Sequence, residues 1–251
     1  MKSLRNYVQG YPVRRRLRRW GLVTMLLAGA PVAARAQQVL VQATVADDTV
    51  KTTFGPNRRW FGHGYVALGL VAGPAKTGAV LRYGFTSAEA RVGGRLKLRL
   101  GQSVALCGDL SYAYLRYELA QEASKLVPAP TLHQREALAL HQFATEIALR
   151  LNYGRRGNAV GSYLDLLAGG SWASGTRHTT EDVPAPGINS VETTESGLPY
   201  LRRFGGCAGA RLGFDRYALV ARYRLSSAFA SGYTAWPELP RWVLGFEVGL
   251  F

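Results

Sequence analysis

Charged side chains recur at alternate positions in several segments of this sequence, and arginine dominates among them. Residues 91–99 read RVGGRLKLR, so an extended chain would place the basic residues on one face and the aliphatic residues on the other. Acidic residues occupy equivalent positions in other segments, and opposite charges would meet where those faces converge. The candidate network comprises Arg91, Arg95, Lys97, Arg99, Asp109, Glu146, Arg150, Asp165, Arg203, Arg211, Arg222, Arg224 and Glu247.

Two kinds of chemistry fit such a network. An excess of arginine around a pore favours the passage of anions. Alternatively, these faces line the inside of a closed barrel of about eight strands, which the strand pattern described below predicts. The interior of such a barrel is only wide enough for side chains, so the charges would pair with one another and fill it. The size argument favours the charge-filled interior, and a narrow, anion-preferring porin or a carrier of small solutes or lipids stays as the alternative.

Catalytic and metal-binding patterns are weak by comparison. The histidines are scattered over different segments without the spacing of metal ligands. A lipid hydrolase or acyltransferase would need a histidine beside a serine or carboxylate at the membrane boundary. His141 is the candidate for that position, but its alternation places it on the apolar face. We therefore expect no enzyme activity, no metal and no cofactor, with a lipid-modifying enzyme as the less favoured alternative.

The two cysteines, Cys107 and Cys207, both fall on the polar face of their segments. A disulfide requires their Cα atoms to lie within about 7 Å. Their segments are expected on nearly opposite walls, so the sequence favours two small buried thiols over a disulfide.

The elements that must position these residues are strands. Period-two alternation predicts segments at about 59–72, 86–100, 103–118, 137–153, 159–173, 198–214, 216–230 and 239–251. Tight turns, such as Gly101-Gln102, separate alternate pairs, and longer links separate the others. Short links on one side and long links on the other are typical of an outer-membrane barrel. The sequence thus predicts an all-β, up-and-down antiparallel transmembrane barrel of about eight strands.

Alternation alone does not say which face points inward. A lipocalin-like secreted barrel would hold the apolar face inside. Two features favour the membrane orientation: the polar face is rich in glycine and other small residues, and aromatic residues cluster near both ends of the apolar face.

The N-terminal segment is predicted to be an export signal. Basic residues precede an apolar run from Gly21 to Ala34, and Ala34-Arg35-Ala36 satisfies the small-x-small rule for cleavage after Ala36. We therefore divide the chain into a signal peptide at 1–36, a periplasmic arm at 37–57 and the barrel at 58–251. The predicted signal carries eight basic and no acidic residues, so the net charge falls from +15 to about +7 without it. With no nucleic-acid-binding module in the remainder, a nucleic-acid partner is not expected.

The strand pattern of residues 58–251 resembles the small eight-stranded outer-membrane barrels of Gram-negative bacteria, of the OmpA-like and OmpX-like type. That resemblance rests on architecture and on the last strand, WVLGFEVGLF at 242–251, with its terminal aromatic Phe251. It implies recognition of Phe251 by the barrel-assembly machinery, outer-membrane lipid and lipopolysaccharide as surroundings, and a monomer. Phe251 departs from the usual pattern, because it lies one position out of phase with the apolar face.

Residues 173–197 form a polar, threonine-rich and acidic segment, which we predict to be an exposed loop. Such loops on a rigid scaffold commonly carry binding. It serves either for recognition of an unknown surface ligand or as a variable loop without a specific partner. The sequence as a whole therefore predicts a non-enzymatic outer-membrane barrel with structural or interaction roles.

Overall fold

The computed structural model describes residues 55–154, 158–183 and 189–251. The predicted signal peptide, its cleavage residues Ala34 and Ala36, and positions 37–54 of the predicted arm lie outside these residues. No helix among the described residues has the length and apolarity needed to cross a membrane.

Within these ranges the chain forms nine strands and one short 3-10 turn at Ser231–Tyr233. The strands are β1 (Trp60–Ala72), β2 (Ala88–Arg99), β3 (Val104–Glu118), β4 (Arg135–Tyr153), β5 (Ser162–Asp182), β6 (Val191–Ser196), β7 (Phe204–Phe214), β8 (Tyr217–Arg224) and β9 (Trp242–Leu250).

Eight of these strands close into a ring. Each strand is antiparallel to its neighbours in the order β1-β2-β3-β4-β5-β7-β8-β9, and β9 returns to pair with β1 from Gly64↔Leu250 to Ala72↔Trp242. The sixth strand, β6, pairs only with the end of β5. The predicted eight-stranded up-and-down antiparallel barrel is therefore confirmed.

The short links lie at one end of the barrel and the long links at the other, which we call the turn end and the loop end. The tightest turn joins β7 to β8 through Asp215, which has a φ of 51°. This left-handed conformation is uncommon for a residue with a side chain, and Asp and Asn adopt it more readily than most.

The strands β4 and β5 extend well beyond the ring at the loop end. Their pairing continues to Arg135↔Glu181, past a register shift between His141 and Gln142. The sequence analysis ended the fifth strand at 173 and predicted a loop at 173–197. Both predictions were wrong, because β5 continues to Asp182 and β6 lies within the predicted loop. Threonines, which favour extended backbone, occur at 176, 179 and 180 where the strand continues to Asp182, and at 193 and 194 in β6.

The two faces of the barrel differ sharply. Large apolar side chains point outward, and Leu68 and Phe214, for example, are 66% and 68% exposed. Charged and small side chains point inward, where Arg211 and Asp165 are completely buried. The lipocalin-like alternative is wrong for this chain, because it requires the opposite orientation.

An apolar cluster closes the loop end, and we call it the outer cap. All of the long links contribute, and backbone bridges Leu81↔Leu119 and Leu201↔Phe229 hold the links together in pairs. The cap consists of the link and strand-end residues Ala79, Leu81, Leu119, Val127, Leu198, Leu201, Phe229 and Leu239, packed on the strand residues Val71, Leu115, Tyr117, Leu138, Leu140 and Ala173. The barrel thus has a buried hydrophobic core above its polar interior.

Candidate functional site

The barrel interior holds charged side chains because inward positions alternate with outward ones along every strand. On the inner wall, five arginines and five carboxylates are all less than 10% exposed. We call this set the ion-pair network: Arg91, Arg95, Arg150, Arg211, Arg222, Glu89, Asp109, Glu146, Asp165 and Glu247. Its positive and negative charges balance, which is the condition under which so many buried charges are tolerated.

Arg211 on β7 lies at the centre of the network. Its Nη1 atom is 2.7 Å from Asp165, its Nη2 atom 2.9 Å from Asp109, and its Nε atom 3.3 Å from Glu247. One guanidinium therefore contacts carboxylates from three other strands across the lumen. The planar fork of arginine suits such multiple contacts, which a lysine ammonium would not reproduce.

Arg95 and Arg150 complete this central layer. Arg95 on β2 forms a bidentate contact with Asp109 and reaches past β1 to Glu247 on β9, at 2.6 Å. Arg150 on β4 donates two hydrogen bonds, of 2.7 and 2.8 Å, to Asp165 on the neighbouring strand. Charge-assisted bonds of this length are the strong kind.

A second layer lies nearer the loop end. Glu146 accepts hydrogen bonds from Arg91 at 3.0 Å and from Arg222 at 2.8 Å. Arg91 also contacts Glu89 at 3.0 Å and the hydroxyl of Ser111 at 3.1 Å. Both layers span the lumen from wall to wall.

Two tyrosines support the central layer, and glycines make room for them. The ring of Tyr163 lies against Gly213, where an added β-carbon would be 2.1 Å from the tyrosine Cζ atom. The Arg150 guanidinium lies 3.6 Å from the centre of the same ring. Tyr65 packs in the same way on Gly93 and beneath Arg95. The small inward residues thus create space for the rings that carry the arginines.

Aromatic side chains fill the turn end. Phe251 follows β9 and points inward, with its ring centre 5.6 Å from that of Phe61 and 5.1 Å from that of His63. Lys97 donates to the Pro56 carbonyl, and Arg99 donates to the Asn57 side chain at 3.3 Å. Phe251 is therefore out of phase with the outer apolar face, as its sequence position indicates.

Three arginines predicted for the network lie elsewhere. Arg99 is at the turn end, Arg203 is exposed just before β7, and Arg224 contacts Glu238 at 3.0 Å at the loop end. Each lies at or beyond the end of a ladder, and among the described residues none of the three forms an ion pair with a carboxylate of the network. Lys97 is buried, but it lies at the turn end next to the network.

The sequence prediction missed Glu89. It lies two residues before Arg91 and therefore on the same face of β2. Extending that alternation by one step would have found it. A carboxylate at this position also balances the arginine excess that suggested an anion path.

A separate polar cluster lies outside the ring, beneath the hairpin formed by β5 and β6. Glu136 hydrogen bonds to His178 at 2.8 Å, to Gln121 at 3.0 Å and also to Lys125. Burial alone would raise the pKa of the Glu136 carboxyl, but these hydrogen bonds outweigh it and hold that pKa below its ordinary value.

A second ion pair ties the hairpin to the preceding link. His133 hydrogen bonds to the carboxylate of Asp182 at 2.7 Å, which lowers the pKa of that carboxyl. Together with the cluster at Glu136, this contact fixes the extended part of β5 to the link between β3 and β4.

The remaining candidates show no reactive arrangement. His141 hydrogen bonds through Nδ1 to the Tyr112 hydroxyl, and the nearby Ser174 hydroxyl donates to the His141 backbone carbonyl instead of to its ring. Cys107 and Cys207 are free thiols. Among the described residues, no group of histidine, cysteine, aspartate and glutamate side chains could hold a metal ion.

Comparisons with known proteins find only distant similarity. No protein-family model and no curated protein sequence matches the chain. Solved structures to which the chain is similar include those of Ail, the attachment invasion locus protein of Yersinia pestis, alone and with the heparin analogue sucrose octasulfate. Their identity to this chain is 10%, the alignment covers 75% of this chain and 99% of Ail, and the TM-scores are 0.32 and 0.31. This similarity is too distant to assign a role to any residue of this chain.

Proposed function

We propose that this protein is a non-enzymatic, non-conducting outer-membrane barrel that presents the β5–β6 hairpin for surface interaction. The observation that carries the proposal is the double closure of its interior. The ion-pair network fills the middle of the lumen, and the outer cap covers the loop end.

The membrane location follows from the outer surface. Between the two ends, the exposed side chains are apolar, and aromatic side chains border this band as girdles do at a membrane interface. At the turn end they are Trp60, Tyr153, Phe214 and Tyr217, and at the loop end they are Tyr112, Tyr114, Phe143, Trp172, Phe204, Tyr223 and Trp242. The export signal predicted at 1–36 supports the same location. To test this location, the mobility of the membrane-fraction protein in mild SDS gels can be compared between boiled and unboiled samples, and we expect the two mobilities to differ. A mature protein found soluble in the periplasm would contradict the membrane location.

Tyr200 lies in the link between β6 and β7 and belongs to the loops, not to the outer girdle. Its ring packs against Tyr233 and Trp236, with centroid distances of 6.1 and 5.4 Å. These rings thicken the outer cap and add to the closure of the lumen.

A porin-like role is the alternative, and ionic conductance separates the two. A hydrated anion would have to displace the buried ion pairs around Arg211 and then pass the cap at Leu138 and Phe229. We therefore expect no steady conductance above background when the purified protein is inserted in a planar lipid bilayer. A reproducible anion-selective conductance would refute the closed-lumen proposal.

The interaction role rests on β6. All six of its residues are exposed, and among the residues that the structure describes the strand pairs on one side only, with β5. Such an edge offers unpaired backbone donors and acceptors, to which an extended peptide can add as a further strand. Glu192 and Glu195 on β6 favour a basic partner.

A synthetic ten-residue peptide of alternating lysine and threonine is a suitable probe, with a control that carries proline at every second position. We expect the first peptide to bind and the control not to bind, because proline removes the backbone donors that a ladder needs. Thr193→Pro in the protein should weaken binding in the same way. Equal binding of both peptides would show that charge attraction alone accounts for binding and would contradict the addition of a strand to β6.

The contacts of His141 argue against the enzyme alternative. Its ring hydrogen bonds to the Tyr112 hydroxyl, and the Ser174 hydroxyl donates to the His141 backbone carbonyl instead of to the ring. We expect no lipid turnover by the purified protein. Turnover that disappears in His141→Ala would overturn this part of the proposal.

We further propose a monomer that contacts outer-membrane lipid and lipopolysaccharide through its apolar band, and that the barrel-assembly machinery recognises the last strand with Phe251. No cofactor takes part in this role.

A further inference from the structure

A cavity lies inside the barrel between the ion-pair network and the outer cap. Arg91 and Arg222 form its floor, while Leu140 and Leu239 belong to its apolar wall. The space available to water is about 80 Å³. Arg95, Arg150 and Arg211 do not line it, so the cavity is separate from the central layer of the network.

The cavity reaches the surface where β7 begins and β8 ends. The ladder between these strands stops at Cys207↔Arg224, and beyond it the Gly206 amide donates to the Ser226 hydroxyl at 3.2 Å. Glycines at 205 and 206 leave the wall thin at this point, and the neighbouring Phe204 is exposed. A small molecule can therefore enter from the side of the barrel near the loop end.

Positive charge dominates the cavity and its mouth. Six arginines line it: Arg91, Arg202, Arg203, Arg222, Arg224 and Arg241.

Carboxylates compensate four of these arginines. Glu89 and Glu146 pair with the two at the floor, and Glu238 pairs with Arg224 at 3.0 Å and with Arg241 at 3.6 Å. Among the residues that the structure describes, Arg202 and Arg203 have no carboxylate within 4.0 Å.

The backbone of the mouth is fixed even though these two side chains are exposed. The Arg202 amide donates to the Ala228 carbonyl at 2.9 Å, and the Arg203 carbonyl accepts from the Ala173 amide at 2.7 Å. Two uncompensated guanidinium groups are therefore held beside the opening of a partly apolar cavity.

We propose that this cavity binds a short-chain amphiphilic carboxylate. The carboxylate would contact Arg202 and Arg203, as planar guanidinium groups bind carboxylates well, and the alkyl chain would lie against Leu140 and Leu239. The chain is short, because 80 Å³ is smaller than the cavity of about 150 Å³ that holds a benzene molecule in another protein.

Cys207 lines the cavity and supplies a direct reporter. Cys107 is completely buried elsewhere in the barrel, and Cys107→Ala leaves Cys207 as the single thiol. In that background, the labelling rate of Cys207 can be measured with methanethiosulfonate reagents that carry either a sulfonate or a trimethylammonium group. The Cys207 thiolate attacks the sulfenyl sulfur and displaces methanesulfinate, so the rate reports access and local charge.

Relative to their rates with a free thiol in solution, we expect the anionic reagent to label Cys207 at least tenfold faster than the cationic reagent. Replacing both mouth arginines, as Arg202→Gln with Arg203→Gln, should abolish most of that preference. Arg59→Gln is the matched control, because Arg59 is also exposed but lies at the turn end, away from the cavity. No labelling by either reagent, or faster labelling by the cationic one, would overturn the proposal.

Ligand protection then tests the chemical class. Butanoate should slow the labelling of Cys207 by an uncharged methanethiosulfonate, whereas butanol and inorganic phosphate at the same concentration should not. Equal protection by butanol would show a purely apolar site, and equal protection by phosphate a simple anion site. Either result would refute the amphiphilic carboxylate.

Discussion

Removing the central guanidinium of the ion-pair network should cost the barrel much of its stability. Arg211→Met keeps an unbranched, flexible side chain but removes the guanidinium group and its charge. Its contacts with Asp165, Asp109 and Glu247 would be lost, and the network would hold five carboxylates against four arginines, all buried. Breaking a buried ion pair by removing one partner costs about 3–5 kcal/mol. For a domain of this size, each kcal/mol shifts the unfolding temperature by about 2–4 °C.

We therefore expect the midpoint temperature of Arg211→Met to fall by about 6–20 °C. The assay is the loss of fast gel mobility in mild SDS as a function of temperature, checked by circular dichroism in detergent. Arg203→Met is the control, because Arg203 is exposed and its replacement should change stability by no more than about 0.5 kcal/mol.

A second substitution separates charge balance from side-chain packing. In Arg211→Met with Asp109→Asn, Arg95 retains its contact with Glu247 at 2.6 Å, and the network is neutral again. We expect the double variant to be more stable than Arg211→Met alone, with a coupling of about 1–3 kcal/mol. If Arg211→Met melts within about 2 °C of the original protein, the lumen charges are solvated and the reasoning fails.

Further expectations concern other parts of the molecule. Gly213→Ala should destabilise the barrel by about 1–3 kcal/mol, because its methyl group would displace the Tyr163 ring, whereas Gly108→Ala points into open space and should be nearly neutral in the same melting assay. The pKa of Glu136 is lowered in the folded protein, so its contribution to stability is present above the unfolded pKa and is lost as the pH falls through the folded pKa. After correction for the intrinsic exchange rate, which itself falls in acid, the protection of β5 amides from hydrogen exchange should therefore decrease as the pH falls, and Glu136→Gln should remove that pH dependence. Phe251→Ala should lower the yield of heat-modifiable barrel in the membrane fraction, and an unchanged yield would exclude a role for Phe251 in assembly.

The strands of the ring could be predicted from the sequence because they follow from a local period of two. The orientation of their faces was predicted from two further features, the small residues on the polar face and the aromatic residues near both ends of the apolar face. The inner residues of β2 and β4, for example, alternate without interruption from Arg91 to Lys97 and from Ala144 to Arg150. Balanced opposite charges on such faces leave little choice of partner. The eight-stranded architecture therefore needed no knowledge of long-range contacts.

The loop end could not be predicted in the same way. The continuation of β5 and the whole of β6 are polar on both faces, so no hydrophobic alternation marks them as strands. Arg203 and Arg224 lie at or beyond the point where the ladder between β7 and β8 stops. The sequence did not show where that ladder ends, because strand ends are set by tertiary contacts. The outer cap joins residues from all the long links, which share no sequence pattern.

The contact of Arg95 with Glu247 has a consequence for the order of folding. These residues are 152 positions apart, and they face one another only after β9 has paired with β1 and the sheet has curled into a ring. Arg211 and Asp109, 102 positions apart, depend on the same event. Until the ring closes, the inner charges can remain hydrated, and closure then dehydrates and pairs them together. Sealing the seam is therefore an all-or-none step, and a barrel that lacks its final strand retains an interior of unsatisfied charge.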